Sequence, residues 1–199
     1  MPAYYANPRQ DVLATLPDRQ FKRILEVGGG DFPTLLHLAE RHGADAWGVD
    51  IRPTDAQLPH FLMGSITDPK IRMQLPIDSF DLIVANDVIE HIEDTEEFLL
   101  TVHALLAPGG IVAMSVPNAR QIRLAFNVVI RGTFPRHDAG LFDRTHLRWF
   151  CRKDVETLAA AAGLELVSHR GTGRLVPDLL AHTSFAELLA LQNLFIFRK

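Results

Sequence analysis

The chain has one cysteine, Cys151, so no internal disulfide can form and a reducing compartment is the expected setting. It also lacks an excess of positive charge: Lys and Arg number 20 against 24 Asp and Glu, a net charge of −4. A polyanion such as a nucleic acid needs a concentration of cations that this balance does not supply. Four arginines do gather locally, at Arg120, Arg123, Arg131 and Arg136. A solvated face is the commoner meaning of such a cluster, and a patch for an anionic substrate is the other. No run approaches the roughly 18 apolar residues of a membrane-spanning helix, and the opening MPAYYANPRQDVL has no apolar secretory segment. The expectation is a cytoplasmic protein that acts on a small molecule, without nucleic-acid or membrane partners. Its oligomeric state is not written in these features.

What is present points to one folded unit. At 199 residues, 47% hydrophobic and 22% charged, the chain can bury a sizeable core, and residues 1–199 are expected to form a single domain. Short apolar runs rich in branched side chains recur at Ile24–Gly28, Ala46–Asp50, Phe61–Met63, Phe80–Asn86 and Gly110–Val116, as strands covered on both faces require. Helical patterns fall between them. Pro33 suits the first turn of a helix whose apolar stripe is Leu35, Leu36, Leu38 and Ala39. Asp94 and Glu97 have the spacing of a capping box for a helix running to Leu106, with Pro108-Gly109-Gly110 as its end. A helix at Lys153–Ala162 closed by Gly163, a strand at Leu164–His169, a helix around Ser184–Leu189 and a strand at Leu194–Arg198 complete the series. Such alternation predicts an α/β domain with a parallel sheet between helical layers. Ligands then bind beyond the carboxyl ends of the strands, where strand order reverses.

The stretch RILEVGGGDFPTLLHLAERHGADAWGVDI narrows the ligand. Glycines after the first strand let a backbone approach a ligand closely, and Asp50, 20 residues past Gly30, is placed to hydrogen-bond two ribose hydroxyls. A dinucleotide fingerprint would place glycine where the chain has Pro33, which also removes an N–H from a pyrophosphate. The Gly-Lys-Ser/Thr of a phosphate-binding loop is absent. What remains is a nucleoside ligand without a pyrophosphate, or a tight turn with no ligand at all.

At these residues the chain resembles class I S-adenosylmethionine-dependent methyltransferases, whose first motif is an acidic residue followed by G-x-G-x-G: Glu26, Gly28 and Gly30 match, and Phe32 replaces the third glycine. LPIDSFDLIVANDVIEHIED and LLAPGGIVAMSVPN are similar to the family's fourth- and fifth-strand segments. DAGLFDRTHLRWFCRKDVETLAAAAGLELV resembles the bacterial type 23 subgroup, whose members often accompany glycosyltransferases. The resemblance implies a Rossmann-like fold, with a mostly parallel seven-stranded sheet and an antiparallel last strand. It implies S-adenosylmethionine as cofactor, held by Glu26, Gly28, Gly29, Gly30, Asp50, Ile51, Ser65, Ile66, Asn86, Asp87 and His91. The implied reaction is O-methylation of a small hydroxylated molecule, a sugar or sugar-linked precursor among the choices.

Three departures from the family bear on activity. The short IRPTDAQLPH, with two prolines, stands where relatives have a full helix. Ser65 stands where they carry an aspartate that contacts the adenine amine. Phe32 is expected to turn its ring into the helix–sheet interface. These departures keep a second reading open, a methyltransferase fold reused as a binding or regulatory protein. A nicotinamide-dependent oxidoreductase is disfavoured by Pro33.

Several constellations compete for the chemistry. Asp87, Glu90 and His91 lie at i, i+3 and i+4, where one helical turn would gather them around a divalent metal. Some small-RNA and quinone-pathway methyltransferases resemble this arrangement. The preferred reading is no metal, with Asn86 and Asp87 lining the cofactor's methionine end and Glu90 and His91 packing locally. His146, in FDRTHLRWF, is the candidate catalytic base, since histidine titrates near neutrality. A structural tie for the Gly140–Phe150 loop is its alternative. Residues 131–146 read as a substrate lid, because long irregular segments in compact domains are commonly functional. Trp47, Phe32, Phe142, Trp149 and Phe150 include candidates for a ring facing a sulfonium, though most are expected in the core. Tyr4 and Tyr5 precede Asn7-Pro8-Arg9, a segment whose position the sequence does not fix.

Overall fold

The computed structural model describes residues 7–138, 140–173 and 186–199. Seven strands form one sheet: β1 (Arg23–Val27), β2 (Asp45–Asp50), β3 (His60–Met63), β4 (Phe80–Asn86), β5 (Leu106–Pro117), β6 (Glu165–Thr172) and β7 (Gln192–Arg198). Their order is β3-β2-β1-β4-β5-β7-β6. Strands β1 to β5 pair in parallel, and β7 runs against both of its neighbours. The expected α/β architecture is therefore present, with the antiparallel strand where the resemblance put it. Strand order reverses at β1 and β4, which sets the ligand crevice beyond their carboxyl ends.

The described α-helices are α1 (Gln10–Leu13), α2 (Pro33–His42), α3 (Pro69–Arg72), α4 (Thr95–Leu105), α5 (Ile122–Ala125), α6 (Arg152–Ala161) and α7 (Ala186–Leu189). Side chains alternate along the central strands and feed two cores. Leu25 and Ile83 join Phe98 and Val102 of α4 in one, while Ile24 and Leu82 join Leu35 and Leu38 of α2 in the other. Each such burial is worth roughly 1.5–3 kcal/mol against exposure. The α4 start behaves as its spacing predicts, with the Asp94 carboxylate accepting from the Glu97 N–H at 2.9 Å.

Elsewhere tertiary packing overrides the pattern. Leu36 faces solvent at 39% exposure, and the ring of Phe32 supplies the buried contact at that end of the helix instead. Strand β5 begins at Leu106, directly after α4, so Pro108-Gly109-Gly110 lies within a strand rather than at a helix end. A register shift against β4 between Phe80 and Leu82 absorbs the irregular residues. No helix stands between Asp50 and His60, as the two prolines predict. The stretch after β5 holds a helix that the pattern did not suggest, α5, continued by a π-helical turn at Phe126–Ile130. Of the helix expected around Ser184–Leu189, α7 is the described part; its beginning, like Tyr4 and Tyr5, lies outside the described residues. Among those residues no helix is long and apolar enough to cross a membrane.

The chain leaves the sheet after β5 and returns at almost the same point. Asn118 bridges to Phe150, and the Ala119 N–H donates to the Phe150 carbonyl at 3.0 Å. Residues 119–149 thus form one excursion over the carboxyl edge.

Candidate active site

The β1–α2 turn is shaped by steric limits. Gly28 has φ 71°, and a Cβ there would stand 2.7 Å from the Val88 side chain, so only glycine fits. Phe32 also takes a left-handed backbone, φ 55°, at the residue preceding α2. That is a conformation which glycine adopts at no steric cost and other residues adopt rarely. Its ring is fully buried, edge-on to Phe61 at 5.9 Å, as expected of a side chain turned into the helix–sheet interface.

Asp50 closes β2 with 4% of its surface exposed. One carboxylate oxygen accepts from the Gly30 N–H at 2.9 Å and the other from the Arg52 N–H at 2.8 Å. Each oxygen keeps a further lone pair. Glu26 is buried beneath the same turn and accepts from the Leu35 N–H at 2.9 Å. Burial pushes its carboxyl up to about 7, against the opposing pull of the Leu35 N–H and the Arg9 charge.

Glu26, Gly28, Gly29, Asn86 and Asp87 line one cleft together with Arg9 and Thr34. Arg9 crosses it, donating to Asp87 at 3.1 Å and to the Gln192 amide oxygen at 2.7 Å. Asp87, itself at φ 55°, also accepts from Ser115 at 2.9 Å and from the Gln192 amide at 2.7 Å. Both polar atoms of the Asn86 side chain are buried without a hydrogen-bond partner among the described residues. A buried amide left in that state suits a ligand that supplies the missing partners. Gly29 and Gly30 complete the turn. Ile51 is open at the rim, 74% exposed. The Ser65 hydroxyl is engaged locally with Thr67 at 2.8 Å, and the Ile66 side chain is part of the core.

A second cluster lies under the excursion. Ile89–His91 is a 3₁₀ turn, and with Asp87 in a left-handed conformation it does not bring Asp87, Glu90 and His91 together as a regular helical turn would. Glu90 and His91 instead meet His146. The Glu90 carboxyl oxygen stands 3.9 Å from His146 Nε2, the two imidazole rings are 4.8 Å apart, and one ligand atom from each of the three residues falls within 4.8 Å of the others. Glu90 is 1% exposed, and neither of its carboxyl oxygens has a hydrogen-bond partner among the described residues. Burial, reinforced by the Asp87 charge, holds this carboxyl well above the usual range. Burial and then the His91 charge lower His146, with Asp143 opposing. A carboxyl and two imidazoles at this spacing suit a proton relay; the donor set also suits a divalent cation.

The excursion is anchored on this cluster. The Leu147 N–H donates to the Glu90 carbonyl at 2.9 Å, and His91 contacts the Thr145 carbonyl at 3.2 Å. Of the aromatics, Phe32 and Phe150 are core, Trp47 stacks on His60 at 4.0 Å, and Phe142 and Trp149 lie in the excursion. Beside them is an open cavity of about 650 Å³, with Arg123 and Arg131 in its lining. Sequence reasoning gave no role to Arg9, Ser115 or Gln192: Arg9 lies in a segment it left unplaced, Ser115 inside the fifth-strand segment, and Gln192 in no motif. Their only signal is long-range pairing with Asp87.

A family model described as Methyltransferase domain, of type 23, matches residues 1–169. The chain belongs to the methyltransferase domain family. The ubiquinone biosynthesis O-methyltransferase of Homo sapiens mitochondria is 29% identical over 140 residues, 61% of this chain and 37% of that protein. The chain spans less than half the length of the first curated relatives it matches. The structure of a methyltransferase from Archaeoglobus fulgidus, 16% identical, superposes with a TM-score of 0.68 over 99% of this chain and 97% of that one. A Burkholderia thailandensis 1,6-didemethyltoxoflavin N1-methyltransferase, solved with its substrate and S-adenosylhomocysteine, is 18% identical with a TM-score of 0.60 over 91% of this chain and 72% of that one. At such identities these two establish a shared methyltransferase fold.

Proposed function

We propose that the chain transfers the methyl group of S-adenosylmethionine to an oxygen of a small hydroxylated acceptor, a sugar-linked precursor being one candidate class. The observation that carries this reading is the cleft at the strand-order reversal, where a glycine turn permits close approach and the amide of Asn86 is buried without partners. These residues fit the cofactor's chemistry. Asp50 offers its remaining lone pairs to two ribose hydroxyls, the turn at Gly28, Gly29 and Gly30 admits the nucleoside, and Ile51 covers the adenine from the rim. Ser65 and Ile66, in the turn after β3, would lie at the adenine edge. Glu26, Asn86 and Asp87, with His91 beyond them, flank the methionine end. When bound, the cofactor supplies an activated methyl carbon with a good leaving group.

What remains for the chain is alignment, exclusion of water and proton removal. His146 takes the proton of the acceptor hydroxyl, with the buried Glu90 carboxyl beside it as the next member of a proton relay. Oxygen is preferred over nitrogen as the acceptor because a hydroxyl needs such a base and an amine lone pair does not. Residues 131–146 close over the acceptor as a lid.

One observation favours a catalytically weak, regulatory protein instead. With Arg9 across it, the cleft keeps only about 30 Å³ of free space, far less than a nucleoside fills. Binding therefore requires Arg9 to leave Asp87. Calorimetry with S-adenosylhomocysteine decides between the two: saturable heat that Asn86→Ala weakens supports the enzyme, and absence of heat supports the regulatory reading.

A further inference from the structure

The excursion 119–149 carries features that methyl transfer to a small neutral alcohol leaves unused. It holds six arginines against two aspartates, with no lysine or glutamate, a formal +4 inside a chain of net −4. Three arginines in or next to it are tied down: Arg120 and Arg152 pair with Glu187, at 2.6 and 3.3 Å, and Arg144 pairs with Asp138 at 2.8 Å. Arg123 and Arg131 are different. Among the described residues neither forms an ion pair, and both line the cavity of about 650 Å³.

The rest of that lining is apolar at Ile122, Phe126 and Phe142 and polar at Asn127 and His137. Ile122 and Phe126 are 51% and 48% exposed, Phe142 faces them, and the Arg131 guanidinium lies over the Phe126 ring at 5.3 Å. Large apolar side chains exposed together beside two cations without ion-pair partners among the described residues mark a surface suited to a ligand with both kinds of group. Rings also link the cavity to the buried cluster: Phe142 meets Phe134 at 6.0 Å, Phe134 meets Trp149 at 4.7 Å, and Trp149 meets His146 at 6.4 Å.

We propose that this cavity binds an anionic amphiphile, with a phosphate or carboxylate held by Arg123 and Arg131 and an apolar portion against Ile122, Phe126 and Phe142. Guanidinium groups suit the anion because they present paired donors in a fixed fork. The suggestion that this ligand is the methyl acceptor rests on the methyltransferase reading; the binding itself does not. The same chemistry comes from a soluble metabolite or from a lipid headgroup.

The test is titration calorimetry of the full chain with dodecyl phosphate below its micelle concentration, beside inorganic phosphate and neutral dodecyl maltoside. Dodecyl phosphate should bind saturably and more tightly than either comparator. Arg123→Ala with Arg131→Ala should weaken it about tenfold or more, at unchanged melting temperature. Phe126→Ala should weaken it by a smaller factor. S-adenosylhomocysteine affinity should not move in either variant. If cofactor binding fails while dodecyl phosphate still binds, the enzymatic reading falls and the cavity stands. Co-sedimentation with phosphatidylglycerol vesicles separates the sources: capture alongside binding of the monomeric probe indicates a headgroup, and monomer binding alone indicates a soluble ligand. Equal affinity in the double-arginine variant, equal affinity for the maltoside, or capture by vesicles without monomer binding would each overturn the proposal.

Discussion

Between Gly28 and Ser65 the chain rounds the carboxyl edge of the sheet in short turns whose backbone N–H groups are tied to Asp50. Between Asn118 and Phe150 it leaves the same edge for a long excursion, held at its base by one bridge and by contacts to Glu90. The first region is set by backbone sterics, with Gly28 and Phe32 both in left-handed conformations. The second is set by side chains that meet across long sequence separations. A common ligand needs the same backbone in every relative, whereas an acceptor that differs between relatives needs replaceable side chains. On this reading the cofactor half is the rigid half, and specificity belongs to the excursion.

The largest effect is expected where the two regions meet. His146→Gln keeps size and hydrogen bonding but cannot accept the hydroxyl proton, so turnover should drop roughly a hundred- to ten-thousandfold. S-adenosylhomocysteine affinity and melting temperature should stay near wild type. A screen of hydroxylated and anionic acceptors with labelled cofactor supplies the substrate for this assay. Full turnover in the variant would reduce His146 to a tie for its loop, and the division of labour would lose its chemical half. If added zinc or manganese is instead retained by the wild type and lost from Glu90→Gln, the cluster is a metal site.

Phe32→Gly probes the rigid half. Removing a buried ring costs roughly 3–5 kcal/mol, and glycine at φ 55° returns about 1 kcal/mol of left-handed strain, leaving a net loss of about 3 kcal/mol. Denaturant unfolding would measure it, with cofactor affinity unchanged. Tighter binding without destabilisation would mean that the ring obstructs the cleft, which would favour the regulatory reading.

These two positions also mark what the sequence made legible. Glycine and proline constrain the backbone directly, so the turn after β1, the acidic end of β2 and the missing helix before β3 could all be read from residue type. The strands followed from runs of branched apolar residues. Leu36 could not be placed correctly, because its burial depends on whether Phe32 has already filled the interface. Nor could the partition of Asp87 from Glu90 and His91, which turns on one left-handed φ at a non-glycine residue. Arg9 reaches Asp87 across 78 positions, and no local pattern encodes a contact of that span.

The buried Glu26 gives a smaller effect, read in pH. Its carboxyl titrates at about 7 in the folded chain, against an ordinary value of 4.5. A raised carboxyl pKa means that the native state holds its proton more tightly, so stability should fall as pH rises from about 4.5 to 7 and level off above. Glu26→Gln removes this dependence. The unfolding free energy of the wild type relative to that variant should fall by about 2 kcal/mol between pH 5 and 8. Parallel curves would show that Glu26 ionises freely and that the cleft is wetter than its burial implies.

The smallest effect tests the cofactor half at its polar anchor. Asp50→Asn keeps the shape of the side chain and one oxygen acceptor, so the contact to either Gly30 or Arg52 can persist, but it loses the negative charge and half of the acceptor capacity. Two ribose hydroxyls donating to a carboxylate are charge-assisted, and the neutral amide should bind S-adenosylhomocysteine about tenfold more weakly, or about 1.4 kcal/mol. The loss should be enthalpic and should leave dodecyl phosphate binding in the excursion untouched, since the two regions share no side chain. An unchanged cofactor dissociation constant in a folded Asp50→Asn protein would move the ribose away from β2. Weakened binding of both ligands would instead couple the two halves through the sheet edge, and the contrast between a rigid cofactor side and an independent acceptor side would fail.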